Sequence, residues 1–425
     1  MINRKKGPQI HTDFDLSIEN VEKTILPNGI TLVELNAGTQ DIIKIEMVLR
    51  CGRINESKIG ASKAAILLMQ EGSITKSAME LAEIYDYYGA SVKLTPGMEV
   101  SSMNLVCMTK FFKKLWPTWL EMILNPAYSE EEVNKFKTIR SQKLKNQLSK
   151  NEIISYRLIS ENIFGSDHPY GYNTEPEHIL SLDRQDIVDY YEKEVTFDNA
   201  IVVVSGKFNS DIRDQIIESI GSIKKACNQS VPQFNHNVPS ATKLNIPTEN
   251  ELQASIKIGC SLFSRSDPDY TAFNFVNTIL GGYFGSRLMT NIREEKGYTY
   301  GIYSMLDCWN HGGFFYISSD VGSDLIEPTI DEIHKEIDIL KTEPVDDKEL
   351  NMVKNYILGQ SLNLIDGPFA TAQLIKSLYI KNLDAEDFQK NINTIKNMTS
   401  QTIINLANKY LDISQFSYVI VGGIK

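Results

Sequence analysis

The chain lacks paired cysteines: its five, Cys51, Cys107, Cys227, Cys260 and Cys308, are odd in number and far apart, with no C-x-x-C. Neither a disulfide framework nor a cysteine zinc site is indicated, and reduced thiols suit a cytoplasmic protein. Six histidines are scattered, none three or four residues from another, so no helical metal pair is present. Basic charge is also short, with 43 Lys and Arg against 54 Asp and Glu, a net charge of −11. A general grip on nucleic acid or an anionic membrane is thereby disfavoured. No apolar run approaches the ~20 residues that span a bilayer, and no apolar stretch follows the basic residues near the N-terminus. A secretory signal is therefore not expected in this sequence; a periplasmic location would require that one had been removed.

What is present is a soluble globular composition, 42% hydrophobic and 23% charged, long enough for two to three domains. The sequence also repeats itself. Leu182 to Gly206 lies over Met398 to Gly422 without a gap at an offset of 216, each copy running from an amphipathic helix to an apolar strand, IVVVSG or YVIVGG. A weaker match sets Lys63 to Ala90 over a segment beginning near Thr271, with Gly89 over Gly297. Two homologous halves follow, residues 1–226 and 252–425, joined by a polar, proline-containing linker over 227–251.

Local patterns predict a turn at Asn28-Gly29 before a strand through Leu35, and a further strand over Ile42 to Gly52. Helices are expected at Ala61 to Gln70 and Ser77 to Tyr88, strands at Ala90 to Thr95 and Val100 to Thr109, then helices over Phe111 to Leu124 and Ser129 to Phe164. The acid-rich runs after Ser129 and around Asp346 and Asp347 are helix starts. His168-Pro169-Tyr170-Gly171 is a structural turn, and Gly281, Gly282 and Gly285 mark a loop before a helix. The fold class is α+β: each half is a mostly antiparallel sheet covered by helices.

The order of LPNGITLVEL, HPYGYNTEPEHILSLDRQDIVDYY (His168 to Tyr191) and GSRLMTNIREEKGYTYGIYS (Gly285 to Ser304) resembles the inverzincin zinc peptidases of the pitrilysin, insulinase and mitochondrial-processing-peptidase family. Active members carry H-x-x-E-H on an early helix, two zinc ligands flanking a general base. Alignment of the flanking glycines puts Lys63, Ile66 and Leu67 at those positions, and the third ligand, a glutamate in the family, falls near Gln142 and Lys143. None of these side chains serves, so the resemblance implies no zinc in this chain. The family's substrate-side pair, an arginine and a tyrosine seven residues later, is retained as Arg293 and Tyr300. The resemblance implies that Tyr300 helps hold a tetrahedral intermediate and that Arg293 fixes a substrate carbonyl or the peptide's tail. The structural alternative is a solvated R-E-E-K helix end and tyrosines packing a sheet.

The resemblance therefore implies the non-catalytic, substrate-binding half of a clamshell-shaped heterodimeric zinc peptidase. A homologous partner with H-x-x-E-H would supply zinc, and the substrate would be an unfolded peptide added as a strand to the partner's sheet edge. The net acidic charge would favour basic peptides if it lined the chamber. Two rivals remain at this level. One is an inert peptide-binding or assembly protein of the same fold. The other is a homodimer with an unrelated, cysteine-based site, against which Cys51 and Cys260 lie in apparent strands away from any histidine.

Overall fold

A computed structural model describes residues 15–18, 20–224, 234, 241–248 and 252–423. The first half contains β1 (Glu22–Ile25), β2 (Thr31–Asn36), β3 (Ile42–Leu49), α1 (Ala61–Leu68), α2 (Ala78–Tyr87), β4 (Ser91–Thr95), β5 (Ser101–Met108), α3 (Phe112–Leu124), α4 (Glu130–Gln147), α5 (Asn151–Phe164), α6 (Pro176–Ser181), α7 (Arg184–Glu194), β6 (Ile201–Gly206) and α8 (Ser210–Gly221). The second contains β7 (Lys243–Ile246), β8 (Gln253–Leu262), α9 (Tyr270–Gly281), β9 (Thr299–Trp309), β10 (Gly312–Gly322), α10 (Ile326–Thr342), α11 (Asp347–Asn363), α12 (Gly367–Ile380), α13 (Ala385–Lys396), α14 (Ser400–Tyr410) and β11 (Ser417–Gly422).

The strands form two sheets, ordered β1-β2-β6-β3-β5-β4 and β7-β11-β8-β10-β9. Each is antiparallel except for one pair, β2 with β6 and β7 with β11. The expected α+β class with mostly antiparallel sheets is what the fold has. The internal repeat is structural: α7 and β6 lie over α14 and β11 at the same offset of 216, and β6 and β11 occupy equivalent places in their sheets. Gly89 and Gly297, equated by the weaker match, share a left-handed backbone at φ 60° and 66°. The Asn28-Gly29 turn is tied down on both sides. Asn28 Nδ2 donates to the carbonyls of Ile220 and Ile223 at 2.8 and 3.0 Å, while Gly29 sits at φ 96°, where a Cβ would meet the Asp198 carbonyl oxygen at 2.2 Å.

β6 is buried along its whole length because both faces of its sheet are covered. Val202 and Val204 join the core beneath the first half's own helices, with Leu32, Ile43 and Ile45. Ile201 and Val203 point the other way, into a core that includes Ala372, Leu374, Ile375 and Leu378 of α12, a helix from the second half. The exchange is reciprocal. Ile159, Ile163 and Phe164 of α5 pack with Phe314, Tyr316, Val419 and Val421 of the second sheet. Each fully buried aliphatic side chain in these contacts contributes about 1.5–3 kcal/mol.

That crossing explains one departure from the sequence reading. The helix expected over Ser129 to Phe164 is two helices, broken at Leu148–Lys150. There the Ser149 hydroxyl donates to the Asn146 carbonyl at 2.9 Å, a local bond that competes with helix continuation. The break frees α5 to reach the other sheet. The segment 227–251, read as linker, is described only at Phe234 and 241–248, and its end contributes β7. Ser129 and Asp346 do cap α4 and α11, through bonds to the backbone N–H of Glu132 and Glu349. Cys51 lies just beyond the end of β3 rather than inside it.

Candidate functional site

α1 starts at Gly60, which is left-handed (φ 94°) and offers no side chain to cap the helix. Glu56 supplies the cap: its Oε2 accepts from the backbone N–H of Gly60 and Ser62 at 3.1 Å each and from Ser62 Oγ at 2.7 Å. Its other oxygen receives the Tyr172 hydroxyl. The apolar face of α1, Ala64, Ala65, Ile66 and Leu68, is sunk in the core, and Ile66 is fully enclosed at 0% exposure. Leu67 is half-buried against the same core. Of the three positions aligned with the zinc motif, only Lys63 turns into open space.

That space is a cleft of about 490 Å³ lined by the first half and, from the second, by Trp309. One wall is α4, whose Phe136, Arg140, Lys143, Leu144 and Gln147 recur at helical spacing on a single face. Gln142 points elsewhere and donates to Asn146 at 3.1 Å, so Lys143 is the residue of that register that meets Lys63 in the cleft. Opposite stand Tyr156 of α5, Met98 of the β4–β5 turn and Trp309 at the end of β9. Tyr156 is held by Asp307 across the halves at 2.7 Å. Arg53 lies on the Tyr172 ring, 3.7 Å from its centroid, and donates to the Tyr172 carbonyl, while its Nε faces no acceptor among the described residues.

Partial burial lowers the Lys63 ammonium below the usual lysine range, and repulsion by Arg140, Lys143 and Arg53 lowers it further, against the opposing pull of Glu56. A divalent cation does not fit here. The groups presented are ammonium and guanidinium, and among the described residues no three His, Cys, Asp or Glu side chains cluster as metal ligands do. The cleft reverses the sign of the chain as a whole. Arg53 and Arg140 escaped the sequence reading, although the Phe136, Arg140, Lys143 spacing on an expected helix was the signal for the second of them.

Arg293 and Tyr300 are not part of this cleft. Arg293 belongs to a short π-helical turn, Met289–Glu295, anchored through Asn291, whose Nδ2 donates to Glu332 and Glu336 of α10 at 2.9 and 2.7 Å. Its guanidinium pairs with Glu294 at 2.5 Å and stands 4.6 Å from the Phe284 ring centroid. Tyr300 is the second residue of β9, the edge strand of the second sheet, and is 95% exposed. It packs no sheet, unlike Tyr298, which rests against the core. Phe284, Tyr303 and Met305 are exposed as well.

The described cysteines offer no nucleophile. Burial pushes the thiols of Cys51, Cys107, Cys260 and Cys308 up to about 12. Cys227 lies outside the described residues. His168 begins the expected turn, with its carbonyl accepting from Gly171 N–H at 2.8 Å. Among the described residues no helix is long and apolar enough to cross a membrane.

The sequence profile described as "Peptidase M16 inactive domain" matches residues 181–357. An "uncharacterized zinc protease", YmxG of Bacillus subtilis, is 24% identical over 80% of this chain and 83% of its own length. A "probable inactive metalloprotease", YmfF of the same organism, is 22% identical over 61% of each chain. Among solved structures, a peptidase M16 inactive domain from Pseudomonas fluorescens superposes with a TM-score of 0.88 at 18% identity, covering 96% of this chain and 99% of that one, a likeness of fold.

Proposed function

We propose that this chain, which resembles the peptidase M16 family and its inactive-type members, is the non-catalytic, substrate-binding subunit of a two-chain zinc peptidase. A homologous partner bearing H-x-x-E-H provides the zinc and the general base. This chain provides Arg293 and Tyr300 for an extended, unfolded peptide held between the two. The observation that carries the reading is the division of the site. The position that the resemblance aligns with the metal holds Lys63 among other cations, while Tyr300 stands 95% exposed on a strand that, among the described residues, is paired on one side only.

The chemistry suits such a division. Attack on a peptide carbonyl builds negative charge on its oxygen, and a phenol or guanidinium aimed at that point stabilises it by a few kcal/mol. Those donors must face the metal across the substrate, so a second chain can bring them. The free cysteines described suit work in the cytoplasm.

Affinity purification of the chain from its own cell, with mass spectrometry and zinc analysis, tests the proposal. The expected result is a homologue with H-x-x-E-H in near-equal amount, with zinc following the partner and absent from the separated chain, which cleaves no peptide by itself. One tight zinc per isolated chain contradicts the proposal. Recovery of the chain alone, as a monomer or homodimer, transfers support to the inert scaffold.

A further inference from the structure

The cleft around Lys63 lies where the family resemblance would place a metal site, yet its charges are arranged for something else. Lys63, Arg140 and Lys143 have no ion-pair partner among the described residues. Arg53 adds a fourth cation with an unsatisfied Nε. The acid that lines the cleft, Glu56, is committed to capping α1 and to Tyr172. Arg157 is discounted, since it pairs with Glu175 and the Thr174 carbonyl.

Gathering like charges in one concave site costs energy that salt and solvent relieve only in part, and a bound anion removes the cost. The surplus is notable in a chain whose net charge is −11. The volume, about 490 Å³, is that of a small-ligand site rather than of a surface for a folded partner. Phe136 on the α4 side and Met98 and Trp309 opposite give it apolar surface, and guanidinium and ammonium groups provide directed donors for a planar oxyanion.

We propose that this cleft is a carboxylate-binding subsite, taking an acidic side chain or the terminal carboxylate of an extended peptide against Lys63, Arg140 and Lys143. The inference rests on the peptide-binding reading and adds a preference to it: the peptide is anionic at one end of its path. It reverses the preference for basic peptides that the overall charge suggests.

The test uses the isolated full chain and three fluorescently labelled octapeptides of alanine and leucine: one with a free terminal carboxylate, its C-terminal amide, and the amide with one internal glutamate. Anisotropy is expected to show one or both acidic peptides binding about tenfold more tightly than the neutral amide, with the advantage shrinking as salt rises. Tighter binding of the first identifies the terminal carboxylate as the ligand, and of the third, an acidic side chain. The double variant Arg140→Glu/Lys143→Glu is expected to remove the advantage while the thermal melt stays close to wild type, because both side chains project from the open face of α4. Lys63→Met is expected to reduce it with no charge reversal. Equal binding of all three peptides, no binding, or an advantage that survives the double variant overturns the subsite. Partner recovery is read separately, so failure here leaves the two-chain proposal to its own test.

Discussion

Replacing Lys376 with alanine is expected to destabilise the chain by about 3 kcal/mol or more, read as a lower urea midpoint. Lys376 of α12 places its Nζ 2.5 Å from Glu46 Oε1 of β3, with Glu46 only 3% and Lys376 8% exposed. The pair is the polar pin of the helix exchange, since α12 comes from the second half and β3 from the first. Removing the lysine leaves a buried carboxylate whose remaining partner is Lys44, at 3.1 Å. With Lys44 alone the buried carboxylate is compensated only in part, and desolvation of such a charge costs more than the pair itself contributes, which gives the experiment a control. Glu46→Met/Lys376→Met removes both charges and is expected to lose much less than Lys376→Ala. If the single and double variants melt alike, the pair does not carry the stability assigned to it.

Restoring the zinc motif by Lys63→His, Ile66→Glu and Leu67→His is expected to yield a less stable chain, still without tight zinc. The obstacle lies in packing as well as in ligands. Ile66 is at 0% exposure within the first half's core, so a glutamate there must be buried, protonated or expelled with the helix. The cost should be about 3 kcal/mol or more, and Ile66→Glu alone should account for most of it. Lys143 also occupies the cleft where the family's third carboxylate is expected, and Arg140 and Arg53 repel a cation. Thermal melts and metal analysis of the triple variant decide the matter: one tightly bound zinc with an unchanged melt would show that the site kept its architecture and lost only its ligands.

The internal repeat made the fold legible, because the offset of 216 that aligns two helices and two strands in sequence also aligns them in their sheets. Periodicity located α1 to α4 closely. It failed between α4 and α5, since the helical pattern of Ser129 to Phe164 carries no proline or glycine at the break. What the break permits, contact of Ile159 and Ile163 with the other half's sheet, is a long-range fact that no local window contains. The same holds for the site. The family resemblance brought Lys63 together with Gln142 and Lys143, but that α4 and Tyr156 share a cleft with Trp309 of the other half depends on the exchange of helices. Ile66 could be named from sequence as unable to act as a base; that it is a core residue required the fold.

The most direct measurement of the central claim is the turnover of a peptide by the pair reconstituted from this chain and its H-x-x-E-H partner, with Arg293→Ala and Tyr300→Phe compared against wild type. Both variants are expected to assemble with unchanged affinity and to lose about a hundredfold in kcat/KM, the size associated with one lost oxyanion donor. Tyr300 makes no packing contact to lose, being 95% exposed, and Arg293 lies on the surface beside Phe284. Full activity in both variants, with assembly intact, would contradict the account and leave this chain as a scaffold.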